Sequence, residues 1–243
     1  MRPSRTQILS DSSGLVHKYW RCHNREFLLE NNADKELYLE ATLRGLNNKS
    51  NKNVHLHAFC IMDNHAHQCI SFKEEPSDLS NYMRYTHGLF GLKYNKTHNR
   101  TGKVANERPK TSVIENDDHA LRVHMYIEAN PIRARKNKFE NLHLNKYCSY
   151  RFFAHGIIDQ FTKKITLPNW YTELGKTMRE RQKAYRLLFE KYLKANKIKN
   201  YFYSKYFIGT IDWVSKKEKQ LLNAGKKSPF KKILKSSDPP QIF

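Results

Sequence analysis

The chain has 243 residues, 39% of them hydrophobic, enough for one packed domain with an added subdomain. Its 44 Lys and Arg against 23 Asp and Glu give a net charge of +21, an excess that opposes compaction and points to a polyanionic partner, nucleic acid first. A membrane partner is not expected without a long apolar run or a basic amphipathic anchor, and cysteines at 22, 60, 69 and 148, with no Cys-x-x-Cys pair, exclude a zinc ribbon.

Residues 1–14 read as a polar leader with no hydrophobic signal segment, so the expected compartment is reducing and cytoplasmic. A first strand covers residues 15–20, and a helix covers 32–46, with Leu37, Ala41 and Leu46 spaced among charges. Residues 54–62 and 65–72 read as two strands joined by Asp63-Asn64, with Cys60 and Cys69 as small core residues. Alternation along the first of these puts His55, His57, Phe59 and Ile61 on one face, and that histidine pair reads as structural or facing nucleic acid. After Pro76, Leu79, Tyr82, Met83, Thr86, Phe90 and Tyr94 have helical spacing, weakened by Gly88 and Gly91. Residues 95–108 read as a basic loop and 111–114 as a short strand. Asp117 and Asp118 start a helix through Leu121, Met125 and Ala129, which Pro131 ends or follows with another. The order strand, helix, strand, strand, helix, strand, helix predicts an α+β fold: a ferredoxin-like, RRM-like split βαβ antiparallel sheet with helices on one face.

The catalytic-type domain is therefore placed at 15–155, followed by a basic, aromatic-rich helical extension over 156–224 and a mobile tail over 225–243. Between Lys176 and Lys235 there are 18 basic and 4 acidic residues, +14 of the total. Tyr185, Phe189, Tyr192, Tyr201, Phe202, Tyr203, Tyr206, Phe207 and Trp213 are interleaved with that charge, and a charged helix spans 176–194. Charge with interleaved aromatics is what binds single strands by backbone attraction and base stacking.

The chemistry concentrates in Met62-Asp63-Asn64-His65-Ala66-His67. On a strand His65 and His67 point the same way, and two neutral imidazoles on one face can hold a divalent cation. The bare pattern is weak, because His55-Leu56-His57 fits it equally. Tyr126 is the candidate nucleophile, on a helix face shared with Arg122 and Asn130. A phenol attacks a phosphate only when that electrophile is polarised, as a cation would do. Asn130, one turn on, offers an amide oxygen as a third ligand.

Met62 to His67 resembles the Met-Pro-Asn-His-x-His signature of the insertion-sequence-type HUH transposases. Tyr126-Ile127-Glu128-Ala129-Asn130-Pro131-Ile132-Arg133-Ala134 resembles the Tyr-Ile-x-x-Asn-Pro-Val-Arg-Ala signature of the same group, and more specifically of the REP-associated tyrosine transposases. His17 to Arg25 is similar to an opening His-x-x-x-Arg-x-x-Asn-Arg, and Thr101-Gly102-Lys103, Arg108 and Tyr147-Cys148-Ser149-Tyr150 follow in family order. The match covers 15 to about 155 and continues weakly to the helix near Tyr185. It implies an HUH variant of the split βαβ fold, in which Tyr126 attacks single-stranded DNA to give a 5′-phosphotyrosine and a free 3′-hydroxyl. It also implies that His65, His67 and Asn130 bind Mg²⁺ or Mn²⁺ and that short palindromic hairpins are the target. Asp63 replaces the family's Pro, an extra carboxylate that would alter metal choice, and Gln68 replaces an apolar residue.

Arg21, Arg25, Lys103 and Arg108, with Arg122 and Arg133 on the tyrosine helix, are the expected DNA contacts. The expected partner is single-stranded or hairpin DNA, bound by a monomer or a homodimer. The absence of a Walker-type motif argues against a nucleotide cofactor and against a helicase-linked replication initiator or relaxase. A hairpin-binding protein without catalysis is the remaining alternative.

Overall fold

A computed structural model of the chain describes residues 3–9, 12, 14–73, 75–105, 107–195 and 202–224. Residues 225–243, read above as a mobile tail, and Tyr201 lie outside them, as do the side chains of Phe202 and Tyr203.

Strand β1 (Leu15–Arg21) is followed by helix α2 (Asn32–Asn47), then β2 (Val54–Ile61), β3 (His65–Phe72), α3 (Pro76–Thr97) and β4 (Lys110–Ile114). The sheet order β2-β3-β1-β4, with β1 antiparallel to both β3 and β4, is the ferredoxin-like split βαβ arrangement. The expected α+β class therefore holds, with β3 and its histidine pair between β2 and β1. Each strand sends alternate side chains to opposite faces. Val16 and Trp20 of β1 and Ala66 and Ile70 of β3 bury against Tyr38 and Leu39 of α2 and Tyr82, Met83 and Phe90 of α3.

The second face is also covered, which corrects the expectation of helices on one side. Helix α4 (Asp117–Arg133) lies there, backed by α5 (Tyr150–His155), α6 (Asn169–Thr172) and α7 (Met178–Lys194). A 17-residue amphipathic helix and the aromatics behind it remove from water a sheet face carrying Ala58, Cys60, Met62 and Cys69. All four cysteines are buried free thiols.

The alternation expected for β2 fails at His57. The pairing of β2 with β3 slips by one residue between Leu56 and Ala58, a β-bulge. Phe59 and Ile61 therefore join the α2–α3 core, while Ala58 and Cys60 join the α4 core. His57 bonds Thr166 O and Ser71 Oγ, each at 2.8 Å, so it is structural.

The C-terminal extension is not purely helical. Strands β5 (Phe202–Tyr203) and β6 (Phe207–Gly209) enlarge the sheet to six strands, and β6 runs parallel to β4, covering what would be an open edge. Helix α8 (Ile211–Ala224) follows. The 1–14 segment, read as a polar leader, contains helix α1 (Arg5–Leu9), which buries Ile8 and Leu9. Four of the aromatics expected to stack on DNA serve the core instead: Tyr185 and Phe189, one turn apart on the inner face of α7, are buried, as are Tyr206 and Phe207, whereas Tyr192 and Trp213 are half-buried. Among the described residues no helix is long and apolar enough to cross a membrane.

Candidate functional site

The site forms where the β2–β3 turn meets the C-terminal half of α4. His65 and His67 leave β3 on the α4 side, with ring centroids 5.1 Å apart. Register sets their neighbours on β1: Arg21 lies opposite His65, and Tyr19 opposite His67. The Tyr19 ring lies 4.9 Å from that of His67, with Arg21 at 5.3 Å and Lys110 at 5.9 Å over the Tyr19 ring.

Each imidazole is engaged through Nδ1. His65 Nδ1 lies 2.7 Å from Asn64 Oδ1. Asn64 Nδ2 donates to the Arg25 carbonyl, so its Oδ1 is the acceptor and His65 Nδ1 carries the proton. His67 Nδ1 lies 2.9 Å from His17 Nε2, and His67 Nε2 is buried with no partner among the described residues. Burial lowers the pKa of His65 and His17 to about 4, and drives that of His67 well below its ordinary value, with the neighbouring imidazoles adding to it. All three rings are neutral at pH 7.

Tyr126 packs edge-on to both rings, its centroid 5.7 Å from His67 and 6.0 Å from His17. It keeps 9% of its surface exposed. The Arg133 guanidinium sits 4.9 Å over its ring and donates from Nη2 to Tyr192 Oη at 2.7 Å, tying α4 to α7.

The helix does not stop at Pro131 but runs on to Arg133, because the bond lost at the proline is replaced. Proline has no N–H to give the Ile127 carbonyl four residues back. Asn130 Nδ2 supplies one at 3.2 Å and also donates to the Tyr126 carbonyl at 2.9 Å. That fixes the amide through Nδ2 and leaves Oδ1 as its remaining acceptor, one turn beyond Tyr126. Asn130 has no hydrogen bond to either imidazole, both of its side-chain bonds being to its own helix.

Asp63 is not available beside the pair. Lys35 and Lys136 each bond it at 2.8 Å and hold its pKa down, against the effect of partial burial. Of the expected DNA contacts, Arg21 and Arg133 touch rings of the site. Arg25 is exposed on a left-handed turn (φ 62°) whose carbonyl holds Asn64. Lys103 is exposed on a loop fixed by the His23 N–H to the Val104 carbonyl, Arg122 is exposed one turn before Tyr126, and Arg108 bonds the Pro3 carbonyl at the surface. Sequence reasoning assigns no chemical role to His17, Tyr19 or Lys110. The signal was present: residues 17, 19 and 21 alternate as 65 and 67 do, and the expected sheet places β1 beside β3.

No family model and no curated protein matches this chain. One solved structure is similar, that of a REP-associated tyrosine transposase bound to a REP hairpin, with a TM-score of 0.49 and 15% identity over 61% of this chain and 84% of that one.

Proposed function

We propose that this chain is a divalent-metal-dependent enzyme that nicks and rejoins single-stranded DNA beside palindromic hairpins, with Tyr126 as nucleophile and His65, His67 and Asn130 as metal ligands. The observation that carries the reading is the edge-on packing of Tyr126 against His67, which joins two sequence motifs about sixty residues apart in one site.

The residues fit a divalent cation. Both imidazoles are neutral, both are held from Nδ1, and the unpartnered Nε2 of His67 is a buried lone-pair position awaiting a partner. The third protein ligand in this reading is the Asn130 side-chain oxygen, on the turn of α4 after Tyr126. A cation bound there supplies Lewis-acid polarisation of a phosphate oxygen and of the departing 3′-oxygen.

Tyr126 Oη forms the new bond to phosphorus, and the phosphorus–O3′ bond breaks. The phenolic proton is lost to water, and the 3′-oxygen gains one. The reverse attack by a 3′-hydroxyl rejoins strands without a nucleotide cofactor, because the phosphotyrosine bond conserves the energy of the broken ester. Arg133 over the tyrosine ring and Arg21 beside Tyr19 hold the strand by its phosphates.

The test uses single-stranded hairpin oligonucleotides and Mn²⁺, with denaturing gels to detect a covalent adduct. Tyr126→Phe is expected to abolish the adduct and to keep hairpin affinity within about twofold, since the ring and its packing remain. An adduct from Tyr126→Phe would assign another tyrosine. The low exposure of Tyr126 favours a second reading, a hairpin binder without catalysis, which the absence of any adduct across varied hairpins would support.

A further inference from the structure

We propose that His17 is a positioning residue: it accepts a hydrogen bond from His67 Nδ1–H, holds His67 in the tautomer whose Nε2 carries the lone pair, and couples that ring to Tyr126. This rests on the reading of His65 and His67 as metal ligands.

Three values define the contact. The His17 and His67 centroids are 5.1 Å apart, the rings lie within 8° of parallel, and His17 Nε2 is 2.9 Å from His67 Nδ1. A nitrogen separation that short across that centroid distance requires both nitrogens to lie along the line of centres. The rings are therefore nearly coplanar and joined edge to edge by a hydrogen bond, rather than stacked face to face.

One of the two nitrogens must donate. If His17 did, His67 would carry its own proton on Nε2, a buried donor with no acceptor among the described residues. Folded proteins avoid that arrangement. If His67 donates from Nδ1, its Nε2 is a lone pair and the buried site is ready for a cation. His17, half-buried, then keeps its proton on Nδ1. The Tyr126 ring meets His17 edge-on (6.0 Å, 80°), so one imidazole braces both the ligand and the nucleophile.

The full-length protein tests this in two ways. In metal-free wild type with ¹⁵N-labelled histidines, long-range ¹H–¹⁵N correlation is expected to show His67 as the Nδ1–H tautomer. In Mn²⁺ calorimetry, His17→Phe, which keeps a ring but no acceptor, is expected to weaken binding about 10- to 100-fold. His17→Gln, which places an oxygen near the lost Nε2, is expected to recover most of that loss. An Nε2–H tautomer in wild type, or a folded His17→Phe that binds Mn²⁺ as tightly as wild type, overturns the proposal. If His17→Phe fails to fold, the wild-type tautomer and the Gln variant decide. Wild type showing the Nδ1–H tautomer but taking up no Mn²⁺ overturns the metal reading itself and reduces the His17 bond to packing.

Discussion

Lys18 is a fully buried lysine in the middle of β1, on the sheet face away from the candidate site. Burial, then the nearby Arg5 charge, pushes its pKa well below the ordinary lysine range. Its cross-strand partner is Gln68, whose Oε1 accepts from Lys18 Nζ at 2.7 Å, and Tyr38 Oη accepts from the same amine at 3.2 Å. Gln68 also donates to Thr42 Oγ1 and accepts from Tyr82 Oη. Here the sequence showed only a polar residue where an apolar one was expected. The pairing that explains it is long-range, because Lys18 and Gln68 meet only once β1 and β3 are in register. Gln68→Leu is expected to cost about 2–3 kcal/mol in urea unfolding, by leaving a buried amine short of an acceptor. Adding Lys18→Met to that variant is expected to recover most of the loss. Strictly additive losses in the double variant would show that the two side chains do not act as a pair.

At the scale of the element, α4 serves two clients on two faces. Tyr126 packs against His67 and His17, while Glu128, wholly buried, looks toward α5 and α7. Its Oε1 accepts from Ser149 Oγ at 2.5 Å and from His124 Nε2 at 3.1 Å, and its Oε2 from Tyr185 Oη at 2.6 Å. The Tyr-Ile-x-x-Asn-Pro pattern made the outward face legible, since its residues are one turn apart. Glu128 fell at an unassigned position of that pattern, and its donors come from residues 149 and 185, which no local spacing connects to it. Helix α7 shows the converse. Its lysines and arginines suggested a nucleic-acid surface, yet Thr177 and Glu180 form a capping box and the Tyr185–Phe189 stripe seals the network around Glu128. Composition reported the outer face of α7 and concealed the inner one. Tyr185→Phe removes one donor from a buried carboxyl and is expected to cost about 1–3 kcal/mol, read from the urea midpoint. A loss within error would mean that water reaches Glu128 and replaces the phenol.

At the scale of the whole molecule, the βαββαβ order was legible because each element is local, and that order alone placed the histidine strand inside the sheet, between β2 and β1. It did not say which face α4 would cover or that β6 would return alongside β4, since both depend on packing between distant segments. The same packing seals in a set of imidazoles. Burial lowers the pKa of His17, His57 and His65 to about 4 and drives His67 and His87 well below the ordinary value. An unfolded chain protonates these rings near pH 6.5, whereas the folded chain leaves the first three neutral until about pH 4. Between those values the unfolded state binds more protons, so stability falls as pH falls, by up to about 1.4 kcal/mol per pH unit for each ring. Above pH 6.5 both states carry neutral rings and this contribution is flat. The carboxyls with lowered pKa, Asp63, Glu36 and Glu180, act at more acidic pH, because stability that depends on their ionised form is lost only as pH falls through and below their ordinary carboxyl range. In chelator-treated protein the urea midpoint is therefore expected to drop more steeply between pH 6.5 and 4 than above pH 6.5, where buried Lys18 with its lowered pKa adds a slope of its own. His57→Asn removes one such ring away from the candidate site, and its midpoint is expected to fall less steeply over the same window. A wild-type midpoint still level at pH 4.5 would show that the imidazoles take up protons in the folded chain, and that the sheet face beneath α4 is open to water.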